Sequence, residues 1–318
     1  MSADIRGRWA TRTVVPEEPE PALPQPEPSK ATAGLRVAAC RPVGGLGSGA
    51  TCQEPPVDTP IFERAGDQFV ATTLARGPWD HDACHGGAPA ALLAASIDAA
   101  PALTAMQGVR LTYDLLRPVP IEIPLSLQVR TVREGKRIQT LEAILTCDDT
   151  ELVRCRALRI RVDDVPLPEA RPGPDAPPRP GPDDLEQFTG RASLGPEGFW
   201  HTVDVRFVSG MFGTPGPGVA WFRVAARLTD GLELTPLARV AAAADFGNGI
   251  GPPLELGPYR YLNPDLTVDI HRLPVDDWVA VSSRSVAQPN GIGLASSTLA
   301  DRDGAIGTGL QSLFIDSA

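Results

Sequence analysis

The run LTYDLLRP at residues 111–118 returns as LTVDIHRLP at residues 266–274, with Leu111, Thr112, Asp114 and Arg117 matched by Leu266, Thr267, Asp269 and Arg272 at a constant offset. A repeat of this kind marks a duplicated unit when the elements around it repeat as well. They do. Before the first copy, Gly86 and Gly87 lead into APAALLAASIDAA, an alanine- and leucine-rich segment stopped by Pro101 that reads as a short buried helix. After it, PLSLQVRTVR, RIQTLEAILTC and ELVRCRALRIRV alternate or carry β-branched residues and are separated by EGK and CDDT, as consecutive antiparallel strands are. Before the second copy, Thr235 offers an N-cap and Pro236 a first-turn proline for LARVAAAADF. After it come WVAVSSRSVA, IGLASSTLA and AIGTGLQSLFI, separated by QPNG and DRDG. One strand leads each helix, DQFVATTLA and FWHTVDVRFV, and VAWFRVAARL adds a further strand before the second.

A helix followed by a run of strands, present twice, predicts an α+β chain. Each unit is a curved antiparallel sheet wrapped on one helix, and the tandem is a double hotdog. Its boundaries follow from composition. Residues 1–57 hold six prolines between Pro16 and Pro28, then GGLGSGA, with no apolar period, and read as a disordered tail or an over-extended start. Residues 166–189 open with eight prolines between Pro166 and Pro182 and read as an extended linker. The folded bodies are 58–165, the N-terminal hotdog, and 190–318, the C-terminal one that carries the site.

Charge and length exclude several classes. The 318 residues carry 29 basic and 39 acidic side chains, a formal charge of -10, so no broad cationic face exists to neutralise phosphates and nucleic acid is not an expected partner. The longest uncharged apolar run, Gly86 to Ile97, falls short of the roughly 20 residues a membrane-spanning helix needs. The N-terminus lacks the apolar core of a secretory signal, and a cytoplasmic location is expected. Five cysteines, Cys40, Cys52, Cys84, Cys147 and Cys155, form no CxxC and are expected to be reduced.

HGGAPAALLAASID, then VRLTYDLLRP and LQVRTVREGKRIQT, resembles the first half of the bacterial type II acyl-CoA thioesterases, the TesB-like double-hotdog family. ADFGNG, LNPDLTVDIHRLP and GTGLQSLFI resemble the second half of its actinobacterial branch, so the resemblance covers residues 58–316. It implies hydrolysis of an acyl-CoA or related acyl thioester to free acid and coenzyme A by activated water, with no cofactor and no metal. It implies acyl-CoA as the partner and a homo-oligomer formed through the hotdog sheets. Related hotdogs also bind or hydrate acyl thioesters, so a non-hydrolytic acyl-CoA or lipid-binding protein is the alternative. Hydration ranks third, because such hotdogs carry an Asp and His pair near the helix start and the second helix start has neither.

The family's water-activating set is an aspartate, a threonine and a glutamine. The aspartate falls on Asp245, which ends an otherwise apolar run and would be costly to bury without partners. The glutamine falls on Gln311; aligning the last strands of the two halves sets it near Leu158, a polar group in place of an apolar one. The threonine position holds Asn263, a departure from the family, with Thr267 two pleats further along the same face. Gly86 and Gly87 let backbone approach a ligand, with open N–H groups at the helix start. The first half offers only Ser96 or Asp98 opposite Asp245, so one site per chain is expected, in the second half.

Other groups weigh less. His81 and His85 in DHDACHGG have a spacing zinc tolerates, but no second ligand cluster accompanies them. Cys84 and His85 are sequence neighbours and do not face each other as a nucleophile and base must. Trp79, Trp200, Trp221 and Trp278 read as core or interface. Arg110, Arg117, Arg130, Arg133, Lys136 and Arg137 form a local basic excess that suits either coenzyme A phosphates or solvated strand faces.

Overall fold

The computed structural model describes residues 59–169, 173, 175–190 and 197–317; the expected tail over 1–57 lies outside them. In the first half, β1 (Phe62–Ala65) and β2 (Gln68–Ala71) precede α1 (Gly87–Asp98), followed by β3 (Met106–Leu115), β4 (Pro124–Arg133), β5 (Ile138–Cys147) and β6 (Thr150–Arg161). In the second, β7 (Val203–Ser209) and β8 (Gly218–Val224) precede α2 (Pro236–Ala244) and a single turn, α3 (Gly247–Ile250). Then come β9 (Tyr259–Leu262), β10 (Asp265–Ile270), β11 (Val279–Ala287), β12 (Ile292–Asp301) and β13 (Gly304–Ser317).

The local causes are those the sequence carries. In α2 the Thr235 Oγ1 accepts from the Ala238 N–H at 3.2 Å and Pro236 fills the first helical position. In α1 every residue from Gly87 to Ala95 is buried, as well as Ile97, so the helix is apolar all round and must be enclosed. The sheet encloses it. All neighbours pair antiparallel in the order β1-β2-β4-β5-β6-β3-β10-β13-β12-β11-β8-β7, with β9 on β13. Consecutive strands are therefore not always neighbours: β3 lies beyond β6 and does not pair with β4. The connection 116–123, carrying Pro118 and Pro120, is too long for a tight hairpin, and it passes α1, where Val119 O accepts from the Cys84 N–H at 2.8 Å.

The two copies of the repeat lie against each other at the middle of the sheet. Thr112 sits opposite Thr267, Leu111 opposite Val268 and Asp114 opposite Asp265. A residue faces its own counterpart across an antiparallel pair only on a two-fold axis, so β3 and β10 define the pseudo-dyad of the molecule. The helices α1 and α2 pack against each other inside, and one core runs from Ile61 to Ile306 through both halves. The two expected bodies thus share a sheet and a core.

The described part of the proline-rich linker is a strap bound to the second half rather than a free spacer. Pro180 O accepts from Trp221 Nε1 at 3.2 Å, Pro182 O from Arg206 Nη1 at 2.7 Å, and the Phe188 N–H donates to Val205 O at 2.8 Å. The Phe188 ring meets Phe207 and Phe212 edge-on, each at 5.5 Å.

Candidate active site

Two helices packed antiparallel place the end of one beside the start of the other. Asp245 is the C-cap of α2, where the helix dipole disfavours an acid, but its carboxylate points at the first turn of α1, where the dipole favours one. The approach is close enough to require glycine. A Cβ on Gly86 would fall 2.8 Å from Asp245 Oδ2, and one on Gly87 would fall 2.9 Å from Ala242 O and 3.0 Å from the Phe199 ring.

Asp245, Gln311 and Asn263 come together at this junction. Asn263 Nδ2 donates to Asp245 Oδ1 at 3.0 Å and to Asp265 O at 3.2 Å, while Asn263 Oδ1 accepts from Asn248 Nδ2 at 3.1 Å. Gln311 lies on the inner face of β13, 1 % exposed; its Nε2 donates to Asp245 O at 3.2 Å and its Oε1 accepts from the Asn248 N–H at 3.0 Å. Asn248 therefore joins the two amides from α3. His85 completes the set: its Nδ1 stands 3.1 Å from Asp245 Oδ2, and its ring packs against Phe199, at 5.2 Å, and Phe246, at 4.5 Å, which themselves stack 6.0 Å apart.

The electrostatics follow from these partners. Burial alone would raise the Asp245 carboxyl, which is 5 % exposed. The His85 hydrogen bond and charge, the Asn263 amide and the Gly87 N–H outweigh it and hold the group below the usual carboxylate range. The Gly87 N–H also lies 3.0 Å from His85 Nδ1, but one nitrogen cannot accept from Gly87 and donate to Asp245 at once. The ionised carboxylate takes both protons.

Asp245, Asn248 and Asn263 form the inner end of a cleft of about 360 Å³, whose walls include His85, Gly86, Pro89, Val119, Leu116 and Leu262. Gly86 presents its backbone there, and its N–H has no partner among the described residues. Trp79, read as core or interface, is 65 % exposed and stands on the cleft wall; Trp200, Trp221 and Trp278 are buried. Of the six basic residues singled out, Arg117 alone lines this cleft, while Arg130 pairs with Glu142. A second groove, about 420 Å³, lies over Ser282, Ser296, Thr298 and Thr308 and offers Arg284 but no carboxylate or imidazole. Among the described residues no three of His, Cys, Asp and Glu gather as a metal set. Burial pushes the Cys84 thiol up, so it stays protonated beside His85.

Thr267 is not part of this constellation. The inner face of β10 is Leu266, Val268 and Ile270, so Thr267 points outward, between Thr112 and Leu310. The pleat count from Asn263 fails because Asn263 and Pro264 lie between β9 and β10, where the strand is interrupted.

The pseudo-dyad repeats the helix junction at the other end, with different chemistry. Asp98, at the end of α1, accepts from Thr235 Oγ1 at 2.7 Å. Burial raises its carboxyl, opposed by that hydrogen bond and by Arg159. Strand register corrects the counterpart of Gln311: Leu310 faces Thr267 as Arg156 faces Thr112, so Gln311 corresponds to Ala157 rather than Leu158. By the same count Asn263 corresponds to Gly108, where a Cβ would fall 2.5 Å from Leu237 Cδ2. Leu237 occupies the space that an amide holds at the Asp245 end.

His85 and Asn248 are the members of the network that sequence reasoning did not assign to it. Asn248 lay within the quoted ADFGNG. His85 preceded the glycine pair, but nothing local ties it to an aspartate on another helix. An acid–imidazole pair, absent from the start of α2, is assembled from the start of α1 and the end of α2.

A sheet curved around two central helices, with a buried carboxylate and amides at their junction, defines a double-hotdog protein. Two family models cover it: the acyl-CoA thioesterase N-terminal domain matches residues 75–160 and the C-terminal domain residues 172–315. The chain belongs to the TesB-like double-hotdog acyl-CoA thioesterase family. Three solved structures share the fold. A hot dog fold protein of unknown function from Alicyclobacillus acidocaldarius is 18% identical, with TM-score 0.61, over 81% of this chain and 96% of that one. A TesB protein from Mycobacterium avium subspecies paratuberculosis is 21% identical, TM-score 0.55, over 80% and 96%. An acyl-CoA thioesterase II from Mycobacterium marinum is 16% identical, TM-score 0.54, over 81% and 96%. No curated protein matches the chain. No described helix is long and apolar enough to cross a membrane.

Proposed function

We propose that the protein hydrolyses an acyl-CoA thioester to the free acid and coenzyme A, with water as the nucleophile. The observation that carries this reading is the buried, ionised Asp245 at the inner end of an apolar cleft, held by Asn263, Gln311 and His85. The acyl carbonyl enters beside Gly86, whose N–H meets the oxygen as it gains charge at the start of α1. The free lone pair of Asn263 Oδ1 accepts from the attacking water, Asp245 supplies the negative charge beside it, and Gln311 Nε2 fixes the carboxylate from behind. At the rim, Trp79 offers a ring and Arg117 a guanidinium to the nucleotide end of coenzyme A.

A second reading has its own observation. Both Nδ2 hydrogens of Asn263 are engaged, by Asp245 and by Asp265 O, so this amide has no donor left for a water, unlike a threonine hydroxyl. Non-hydrolytic binding of acyl-CoA is the function if activation is lost. A panel of acetyl-, hexanoyl-, dodecanoyl-, hexadecanoyl- and 2-hexenoyl-CoA, followed by free thiol and by melting temperature, separates the readings. Thiol release above a heat-treated control is the expected result. A raised melting temperature without release establishes binding instead. Loss of enoyl absorbance without release replaces hydrolysis by hydration.

A further inference from the structure

We propose that His85 is the proton carrier of the reaction and that Asp245 acts through it, as the anion that orients the imidazole. The inference rests on the hydrolytic reading and adds a residue and a route to it. Of the two ring nitrogens, Nδ1 is taken by Asp245 Oδ2 at 3.1 Å. Nε2 has no partner among the described residues, and the side chain, 13 % exposed, lines the cleft. The ring is fixed by Phe199 and Phe246, which lie 29° and 30° from its plane. An unpartnered nitrogen on a residue that lines the cleft, a carboxylate on the opposite nitrogen and a ring packed against two phenylalanines are the arrangement a general base requires.

The carboxylate itself is built for the other role. A base must take a proton, and Asp245 is surrounded by donors that keep it charged, His85, Asn263 and Gly87. It stabilises an imidazolium better than it accepts a proton. In the proposed step Nε2 removes a proton from water while the oxygen attacks the carbonyl carbon. The tetrahedral intermediate then collapses with loss of the C–S bond, and the proton on Nε2 passes to the departing sulfur. Water and thioester become acid and thiol, and the imidazole returns neutral.

The test compares His85→Gln with the unaltered full chain on the acyl-CoA panel. Glutamine can still donate to Asp245 but has no titrating nitrogen. The expected result is a fall in kcat of about 10²–10⁴-fold with KM changed by less than about threefold. In the unaltered protein kcat/KM rises with pH as one group loses a proton, and that limb is absent in His85→Gln. Asp245, from the end of α2, is the charged group against the ring; Phe199 and Phe246 present only carbon, and Asp80, Cys84 and Arg117 are the other titratable or charged groups lining the cleft. If His85→Gln melts far below the unaltered protein, His85→Ala assayed with and without free imidazole decides: rescue supports the role, and none overturns it. Thiol release by the unaltered chain with an unchanged rate and limb in His85→Gln overturns the role of His85 alone. No release by the unaltered chain overturns hydrolysis, and this inference with it.

Discussion

Asp245 is the residue on which the network converges, and Asp245→Asn tests it with little change of shape. The amide cannot hold the charge, so thiol release is expected to fall about 10²-fold or more. Adding Gln311→Ala to that variant should cost little further, because Gln311 works through the same carboxylate and residues that act as a unit are not additive. Retention of about half the activity in Asp245→Asn would mean that both ends of the molecule turn over substrate. Asp245, Gln311 and Asn263 were reached in sequence through the family resemblance; Asp245 and Gln311 also stand out as polar groups in apolar runs, where desolvation demands a reason, whereas Asn263 rests on the resemblance alone. His85 was not. Its neighbours Cys84 and His81 invite local explanations, and only the packing of α1 on α2 brings it to Asp245. Thr267 was misplaced by counting pleats across Pro264, where β9 and β10 are separate strands and the face changes.

Among the elements, β3 and β10 explain why one end differs from the other. The duplicated run made the repeat readable, but not that its copies pair, since pairing is set by register and not by composition. Register also makes Ala157 and Gly108 the counterparts of Gln311 and Asn263, with Leu237 filling the gap above Gly108. Two outcomes follow from this asymmetry. Asp98→Asn should leave thiol release within about twofold, since residues that contact neither substrate nor the carboxylate couple to it only loosely. Leu237→Ala should lower stability by about 2–4 kcal/mol, as a buried leucine does, without lowering kcat. A thermal melt and the thiol assay on each variant check both; a large activity loss in Asp98→Asn would show that the second end works too.

The whole molecule is held at the outer end of β12 by a pair that its two halves do not share. Asp301 is fully buried and takes a two-pronged hydrogen bond from Arg272, with further donation from the Val275 and Asp303 N–H groups, each at 2.9 Å. Among the described residues the matching Arg117 donates only to Glu151 O, at 2.8 Å. Burial would raise the Asp301 carboxyl, yet Arg272 and the two N–H groups lower it below its ordinary value. Its stabilisation is therefore complete above the ordinary carboxylate pKa of about 4 and is lost as pH falls through the lowered value. Asp301→Asn should cost about 2–3 kcal/mol at neutral pH, the low end for a buried pair because Arg272 is 27% exposed. Melting curves from pH 7 to pH 3 should show the gap to the unaltered protein closing with acid. The pseudo-dyad has a consequence of its own. His85 and Gly86 belong to one copy of the repeat, and Asp245, Asn263 and Gln311 to the other, so the chain is a dimer of unequal partners joined end to end. Two such partners on separate chains would assemble only above some threshold of dilution. The covalent connection between β6 and β7 instead makes assembly of the site an intramolecular event, independent of how much protein is present.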